Sequence, residues 1–338
     1  MTVASIAGPL MARVAGGWPG LAATLTVAAA ATFLSEHYGA PAMLFALLLG
    51  MAFHFLHEEG RCIAGIEIAA STVLRLGVAL LGVRISTSQI LELGLAPLAT
   101  VVAGVASTIG LGVLASRVFG QSRSFGLLSG GAVGICGASA ALAIAAVLPR
   151  GDERDRETIL TVVTVTAFST IAMIAYPMIA AALRLDTNGA GLFLGGTIHD
   201  VAQVVGAGYS VSPHAGDVAT YVKLLRVALL LPVVFVVALV VARRPGRPGA
   251  TQAPTAIPWF LLGFAALVAA NSLGFISRPV GDAAGAASRW CLITAIAALG
   301  MKTSFKVLAV VGWRPVALIA LETAWIAGLV LVVVKASA

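Results

Sequence analysis

Gly130-Gly131-Ala132-Val133-Gly134-Ile135-Cys136-Gly137-Ala138-Ser139-Ala140 lies in the middle of an apolar run that extends from about 125 to 149. Four glycines fall within eight positions here, and each costs roughly 1 kcal/mol against alanine inside a helix in water. A continuous helix gains nothing from them. A broken helix uses them, because the break bares backbone N–H groups and the positive end of a helix dipole. Ser139 adds a hydroxyl donor beside that end. Non-helical backbone is tolerated at membrane depth only where it is buried in protein or lines a cavity. Close helix packing through small residues is the competing explanation of the same glycines. We read a discontinuous helix.

The rest of the chain places this run in a bilayer. Of 338 residues, 59% are hydrophobic and 10% charged, and the mean hydropathy is +1.02. A soluble domain carries about 25% charged residues, so this chain lacks the material for a water-facing coat. The formal net charge of +7 comes without a basic run interleaved with aromatics, which excludes a nucleic-acid surface. Lys and Arg near helix ends instead set topology. Cys62, Cys136 and Cys291 are odd in number and far apart, so neither a disulfide nor a metal site is expected. No cofactor motif is found. The run Leu21 to Leu34 reads as a retained helix rather than a cleaved signal peptide.

A crossing needs about 20 apolar residues, and breaks at Gly, Pro and charge clusters give about eleven candidate spans. They lie near 20–35, 41–57, 66–84, 95–117, 125–149, 158–183, 190–210, 219–242, 257–276, 285–302 and 313–335. The expected fold is thus an all-α polytopic membrane protein, one transmembrane domain over 1–338. Residues 243–258, RRPGRPGATQAPTAIP, form a cytoplasmic linker between eight spans (1–242) and three (259–338). With a cytoplasmic N-terminus, the inner side gathers Arg117, Arg123, Arg184, Arg243, Arg244, Arg247 and Arg314. The outer side receives Arg84, Arg150, Arg154, Arg156 and Lys335.

An internal repeat is visible. Leu81-Gly82-Val83-Arg84-Ile85-Ser86 recurs as Leu299-Gly300-Met301-Lys302-Thr303-Ser304, and at the same offset Gly94 meets Gly312 and Pro97 meets Pro315. An odd number of crossings between the copies gives them opposite orientations, as in the inverted repeats of secondary transporters. Chance likeness of two Leu/Gly-rich helices is the alternative.

Three clusters could carry chemistry. The first is the glycine break itself, with Gly134, Cys136, Gly137, Ala138 and Ser139. The second is Gly195-Gly196-Thr197-Ile198-His199-Asp200-Val201-Ala202-Gln203, where His199 and Gln203, four apart, share a helix face. Ionisable groups at such depth usually face a pathway or a partner; the alternative is that His199 and Asp200 cap a half-helix at the surface. The third is Lys223 with Arg226, two cations on one side of an apolar helix. They need an anion, either a carboxylate such as Asp200 or Glu322 or a bound substrate that Arg226 grips with its planar fork. Glu322 and Arg75 sit in mid-span and could pair with each other.

GICGASA at 134–140, HDVAQVVGAG at 199–208, Lys223-x-x-Arg226, Pro258-Trp259-Phe260 and the two LG-x-[RK]-x-S exits together resemble the YeiH-type sulfate exporter family, UPF0324. The resemblance covers most of the chain. It implies a bacterial inner-membrane protein related to the sodium/proton antiporter and bile-acid symporter superfamily, with inverted repeats and crossed broken helices. It also implies export of sulfate or an organosulfonate. The family pattern often carries Glu where this chain has Asp200. The span count leaves both glycine breaks in parallel spans, whereas crossed helices come from inverted copies. Either a span is miscounted, a break is a re-entrant hairpin, or 199–208 is not the second crossed helix.

The expected function is secondary transport of a small anion by alternating access. Gly134, Cys136, Gly137, Ala138, Ser139, His199, Gln203, Lys223 and Arg226 would form the anion site. His199, Asp200 and Glu322 would carry a coupling ion, proton or sodium. An anion channel and a coupled organic-anion symporter are the alternatives. An enzyme is not expected, since no nucleophile has an evident base partner. The bilayer and the anion are the expected partners, a homodimer is allowed, and nucleic acid is not.

Overall fold

The computed structural model describes residues 4–39, 41–85, 95–149, 152–242, 259–303 and 312–337, and among these it is helical without a strand. In chain order the helices begin with α1 (Ala4–Tyr38), α2 (Ala42–Ala52), the single turn α3 (Phe55–Glu58) and α4 (Ile63–Arg84). Then come α5 (Ala96–Ala115), α6 (Arg123–Gly134), α7 (Ala138–Val147) and α8 (Asp152–Ala182). They are followed by α9 (Thr187–Thr197), α10 (Val201–Val211), α11 (Pro213–Ala228) and α12 (Leu230–Ala242). The last three are α13 (Trp259–Ser272), α14 (Arg278–Lys302) and α15 (Trp313–Ser337). Among the described residues, seven helical stretches are long and apolar enough to cross a membrane, including Ile63–Arg84, Asp152–Ala182 and Pro213–Val241. The chain is a multi-pass membrane protein.

It forms two compact units, each assembled from two stretches of sequence: residues 1–90 with 260–304, and 91–259 with 305–338. In the first unit, glycines let backbones touch. A Cβ on Gly65 would fall 2.0 Å from the Gly17 carbonyl, and one on Gly50 would fall 2.2 Å from that of Ala297. Small residues drive such packing where lipid removes the hydrophobic drive. α4 runs antiparallel to α14, with Gly77 beside Cys291 and Gly285 beside Arg84. Leu81–Ile85 and Leu299–Thr303 therefore end helices of opposite direction; Ser86, Gly94 and Ser304 lie outside the described residues, as does the linker at 243–258. Glu67 of α4 joins Lys302 (2.7 Å) and His57 (3.0 Å). Arg75 is exposed.

The second unit departs from the expected crossings. α6 and α7 are two arms of a hairpin: a Cβ on Gly131 would lie 2.2 Å from Ile144 Cδ1. Leu128 clusters with Ile144, Ala145, Val147 and Leu148. Both arms open at the same end, where Ser122, the N-cap of α6, donates to Glu157 near the start of α8. α9 and α10 form a second hairpin. The Ala215 carbonyl lies close to both Gly191 and Gly208, and His214 Nε2 meets Asn188 Oδ1 at 2.7 Å. α8, 31 residues long and hence about 46 Å, starts beside the mouth of the first hairpin and ends beside the mouth of the second. The hairpins therefore enter from opposite ends. Arms of 10 to 12 residues reach about 15–18 Å, half of the roughly 30 Å hydrocarbon core.

Two corrections follow. The spans expected at 125–149 and 190–210 are re-entrant hairpins and not crossings. Arg154 and Arg156 thus share an end with Arg123 and Arg314 instead of opposing them: Arg123 and Arg154 line one cavity, Arg156 and Arg314 another. We call this the Arg314 end. At the other end Lys335 Nζ donates to the Leu183 carbonyl, beside Arg184. Hydropathy could not make the distinction, because two apolar half-helices in a hairpin have the composition of one full crossing.

Candidate functional site at the meeting hairpin tips

The tips are residues 135–137 and 198–200, and they meet. Gly137 caps the N-terminus of α7 at φ 65°, ψ −129°, a conformation open in practice only to glycine. A Cβ there would stand 3.7 Å from His199 Cβ. Both glycine clusters do break their helices, and the residues between the half-helices are brought side by side.

What joins them is α11. Arg226 Nε donates to the Gly134 carbonyl (2.9 Å) and Nη2 to Val133 (2.7 Å). Its Nη1 reaches Gly195 (3.1 Å) and Ile198 (3.0 Å). Lys223 Nζ donates to Ile135 (2.6 Å), to Ile198 (3.1 Å) and to His199. These carbonyls belong to the C-terminal ends of α6 and α9 and to the tips behind them. Such ends carry orphan acceptors and about half a negative charge each. The negative partner of the two cations is therefore largely backbone, with Asp200 as the nearby carboxylate. Lys223 and Arg226 are 0% and 1% exposed. Lys223 has all three donors engaged; Arg226 has one N–H of its fork without a partner among the described residues.

The N-terminal ends of α7 and α10 differ. Asp200 caps α10, its Oδ1 accepting from the Ala202 (2.8 Å) and Gln203 (3.4 Å) amides, while Ser169 Oγ accepts from the Asp200 amide. Of the two residues that the capping alternative named, Asp200 caps the half-helix and His199 does not, being buried against Thr323. Gly137 offers α7 no capping side chain. The Ala140 amide faces the Cys136 sulfur, and Ser139 is exposed. His199 and Gln203 are buried behind the tips. His199 Nε2 meets Thr323 Oγ1 at 3.1 Å, and Gln203 Nε2 donates to Thr170 Oγ1 at 2.9 Å. Glu322, next to Thr323 on α15, accepts from Ser129 Oγ at 2.7 Å. The three polar partners Ser129, Thr170 and Thr323 were not singled out from the sequence. A hydroxyl residue in an apolar helix has no signature until the fold supplies its neighbour.

The fold and these tips define a class: a helical membrane protein with two hairpins that touch at their tips and are tied by buried cations. Comparison with known proteins gives the family. The profile described as Conserved hypothetical protein 698 matches residues 19–319, and the chain belongs to this family, the UPF0324 membrane proteins. A UPF0324 membrane protein of Chlorobaculum tepidum is 56% identical, over 93% of this chain and 88% of its own. One from Rhizobium meliloti is 53% identical over 93% and 91%. The UPF0324 membrane protein TauZ of Paracoccus pantotrophus is 52% identical over 92% of each chain.

Proposed function

We propose that this protein is a secondary transporter of a small anion, sulfate or an organosulfonate, working by alternating access in a bacterial inner membrane. One observation carries the reading: the N-terminus of α7, whose N-cap Gly137 supplies no side chain, lies at the meeting of the two tips, with Lys223 and Arg226 fixed behind it. Backbone amides at a helix N-terminus are ready donors to an oxyanion. Here the Ala138 and Ser139 amides and the Ser139 hydroxyl would touch the anion, beside Gly137 and Cys136. Gly134, Lys223 and Arg226 would hold the tip in shape and supply positive field, with one Arg226 N–H left to reach the substrate. His199, Gln203 and Asp200 would shape the opposite wall. Because the hairpins come from opposite ends, withdrawal of either tip would open the anion to one side at a time. The hairpin-plus-span pairs α6–α8 and α9–α12 are read as inverted copies of each other, as are the two LG-x-[RK] exits.

Arg123, Arg154, Arg156 and Arg314 at one end, against Arg184 and Lys335 at the other, favour the Arg314 end as cytoplasmic. Export of an anion from a negative-inside cell is then downhill by about 2.3 kcal/mol per charge per 100 mV. Purified protein in proteoliposomes should move radiolabelled sulfate with saturable kinetics. A Ser139→Cys variant should react with a charged thiol reagent at a rate that sulfate lowers. Saturation without single-channel current separates a carrier from the channel alternative. Absence of flux for sulfate and alkylsulfonates together, with no sulfate effect on Ser139→Cys labelling, would overturn the proposal.

A further inference from the structure

Glu322 is 0% exposed, lies in the membrane-spanning helix α15, and takes no part in holding the tips. Its Oε1 accepts from Ser129, and its Oε2 makes no hydrogen bond among the described residues. Three hydroxyls of the same unit share that state: Thr108 of α5, and Thr161 and Thr164 of α8. Buried polar atoms are almost always paired, so a group of them calls for ordered water or an ion.

Their depth is set by helix geometry. α6, α8 and α15 all start at the Arg314 end, around a cavity of about 380 Å³ lined by Ser122, Glu153, Arg156, Glu157, Trp313 and Arg314 among others. Ser129 is seven residues beyond Ser122, Thr164 seven beyond Glu157, and Glu322 eight beyond Arg314. At 1.5 Å per residue each lies about 10–12 Å inward, and these three helices pack on one another. Thr161 falls one turn below Glu157. At the inner end, Thr323 follows Glu322 and bonds His199 at the tips. Glu157, Thr161 and Thr164 share one face of α8 at i, i+4 and i+7, as Ser122 and Ser129 share one face of α6, so oxygen atoms stand at successive depths between the polar vestibule and the hairpin tips.

We infer that Glu322 is a proton-binding site, loaded from the Arg314 end past Glu157 through water held by Thr161, Thr164 and Ser129, and sensed by the tips through Thr323 and His199. The sensing rests on the transport reading; the proton site does not. Oε2 takes a proton from water to give the neutral acid and returns it to water. α15 is packed on by α5, α6, α8 and α9. Of these, α5 and α9 carry no ionisable side chain. α6 contributes Arg123 at its start. α8 contributes the run Asp152 to Glu157 at its start and Tyr176 further along. Lys223 and Arg226 of α11 bind the tip backbone, to which His199 and hence Thr323 are joined.

Infrared difference spectroscopy of the purified protein tests the site without any transport assay. Acidification should raise a set of carboxylic-acid C=O bands, one component of which is missing in Glu322→Gln and retained in Glu157→Gln. A set of bands that Glu322→Gln leaves unchanged, or a Glu322 component that follows sodium and ignores pH, overturns the inference. In proteoliposomes, wild-type sulfate flux should change on the order of tenfold per pH unit on the limb where one proton titrates. Glu322→Gln should flatten that profile, and Thr161→Val with Thr164→Val should slow the response to a pH jump at the Arg314 end. Wild-type protein that shows the Glu322 band and moves no anion would sink the transport proposal alone; a flux profile unchanged by Glu322→Gln would sink the sensing step.

Discussion

Replacing Arg226 by methionine keeps the bulk of the side chain and removes its four hydrogen bonds to Val133, Gly134, Gly195 and Ile198. Ile198 retains Lys223 as donor; the other three carbonyls lose the charged donor that binds them to α11. Bonds to a charged group contribute about 1.5–3 kcal/mol each. Part of that sum is offset because methionine no longer has to bury a guanidinium. Removing one member of a buried charged assembly costs about 3–5 kcal/mol net. At about 2–4 °C per kcal/mol for a unit of this size, the melting temperature should fall by roughly 6–20 °C. Arg226→Lys keeps the charge without the fork and should fall between the two. The assay is thermal unfolding in detergent followed by tryptophan fluorescence, alongside maleimide labelling of Cys136, which is buried in the native protein. Loosened tips should expose that thiol. Arg226→Met that melts within about 2 °C of wild type, with Cys136 still unreactive, would refute the idea that this guanidinium holds the two hairpins together.

Gly137→Ala puts a Cβ on a backbone at φ 65° and should cost about 1–3 kcal/mol, read as a lower melting temperature together with loss of sulfate flux. Asp200→Ala removes the cap of α10 and should cost about 0.5–2 kcal/mol, whereas Asp200→Asn, which keeps the accepting oxygen, should melt near wild type. In right-side-out and inverted vesicles, single cysteines at Arg123 and Arg154 should be labelled from the same side. Labelling from opposite sides would restore α6–α7 as a full crossing.

The membrane class and both helix breaks were legible because glycine is costly in helices and charge is costly in lipid. Asp200 as a cap could be read locally, since capping needs only the two or three residues that follow. The direction of the chain after each break could not. Gly137 and the residues around Ile198 announce an interruption, and nothing in apolar half-helices of 10 to 12 residues says whether the second continues or returns. Lys223 and Arg226 demand a negative partner, and the sequence offers only carboxylates such as Asp200 and Glu322 or a bound anion for that role. The partner proved to be mainly the carbonyl ends of α6 and α9, which exist only because the hairpins turn where they do. Ser129, Thr170 and Thr323 were invisible for the same reason: their worth depends on facing Glu322, Gln203 and His199.

Under alternating access, two hairpins that return to opposite ends would leave little besides their tips between the compartments. Where water follows the arms inward, the membrane voltage drops across that thin septum instead of across the full bilayer. A doubly charged ion then collects about 4.6 kcal/mol per 100 mV, at 2.3 per charge, in a step of a few ångströms. Small displacements of residues 135–137 or 198–200 would accordingly be strongly voltage-sensitive, without any long-range movement of charged helices.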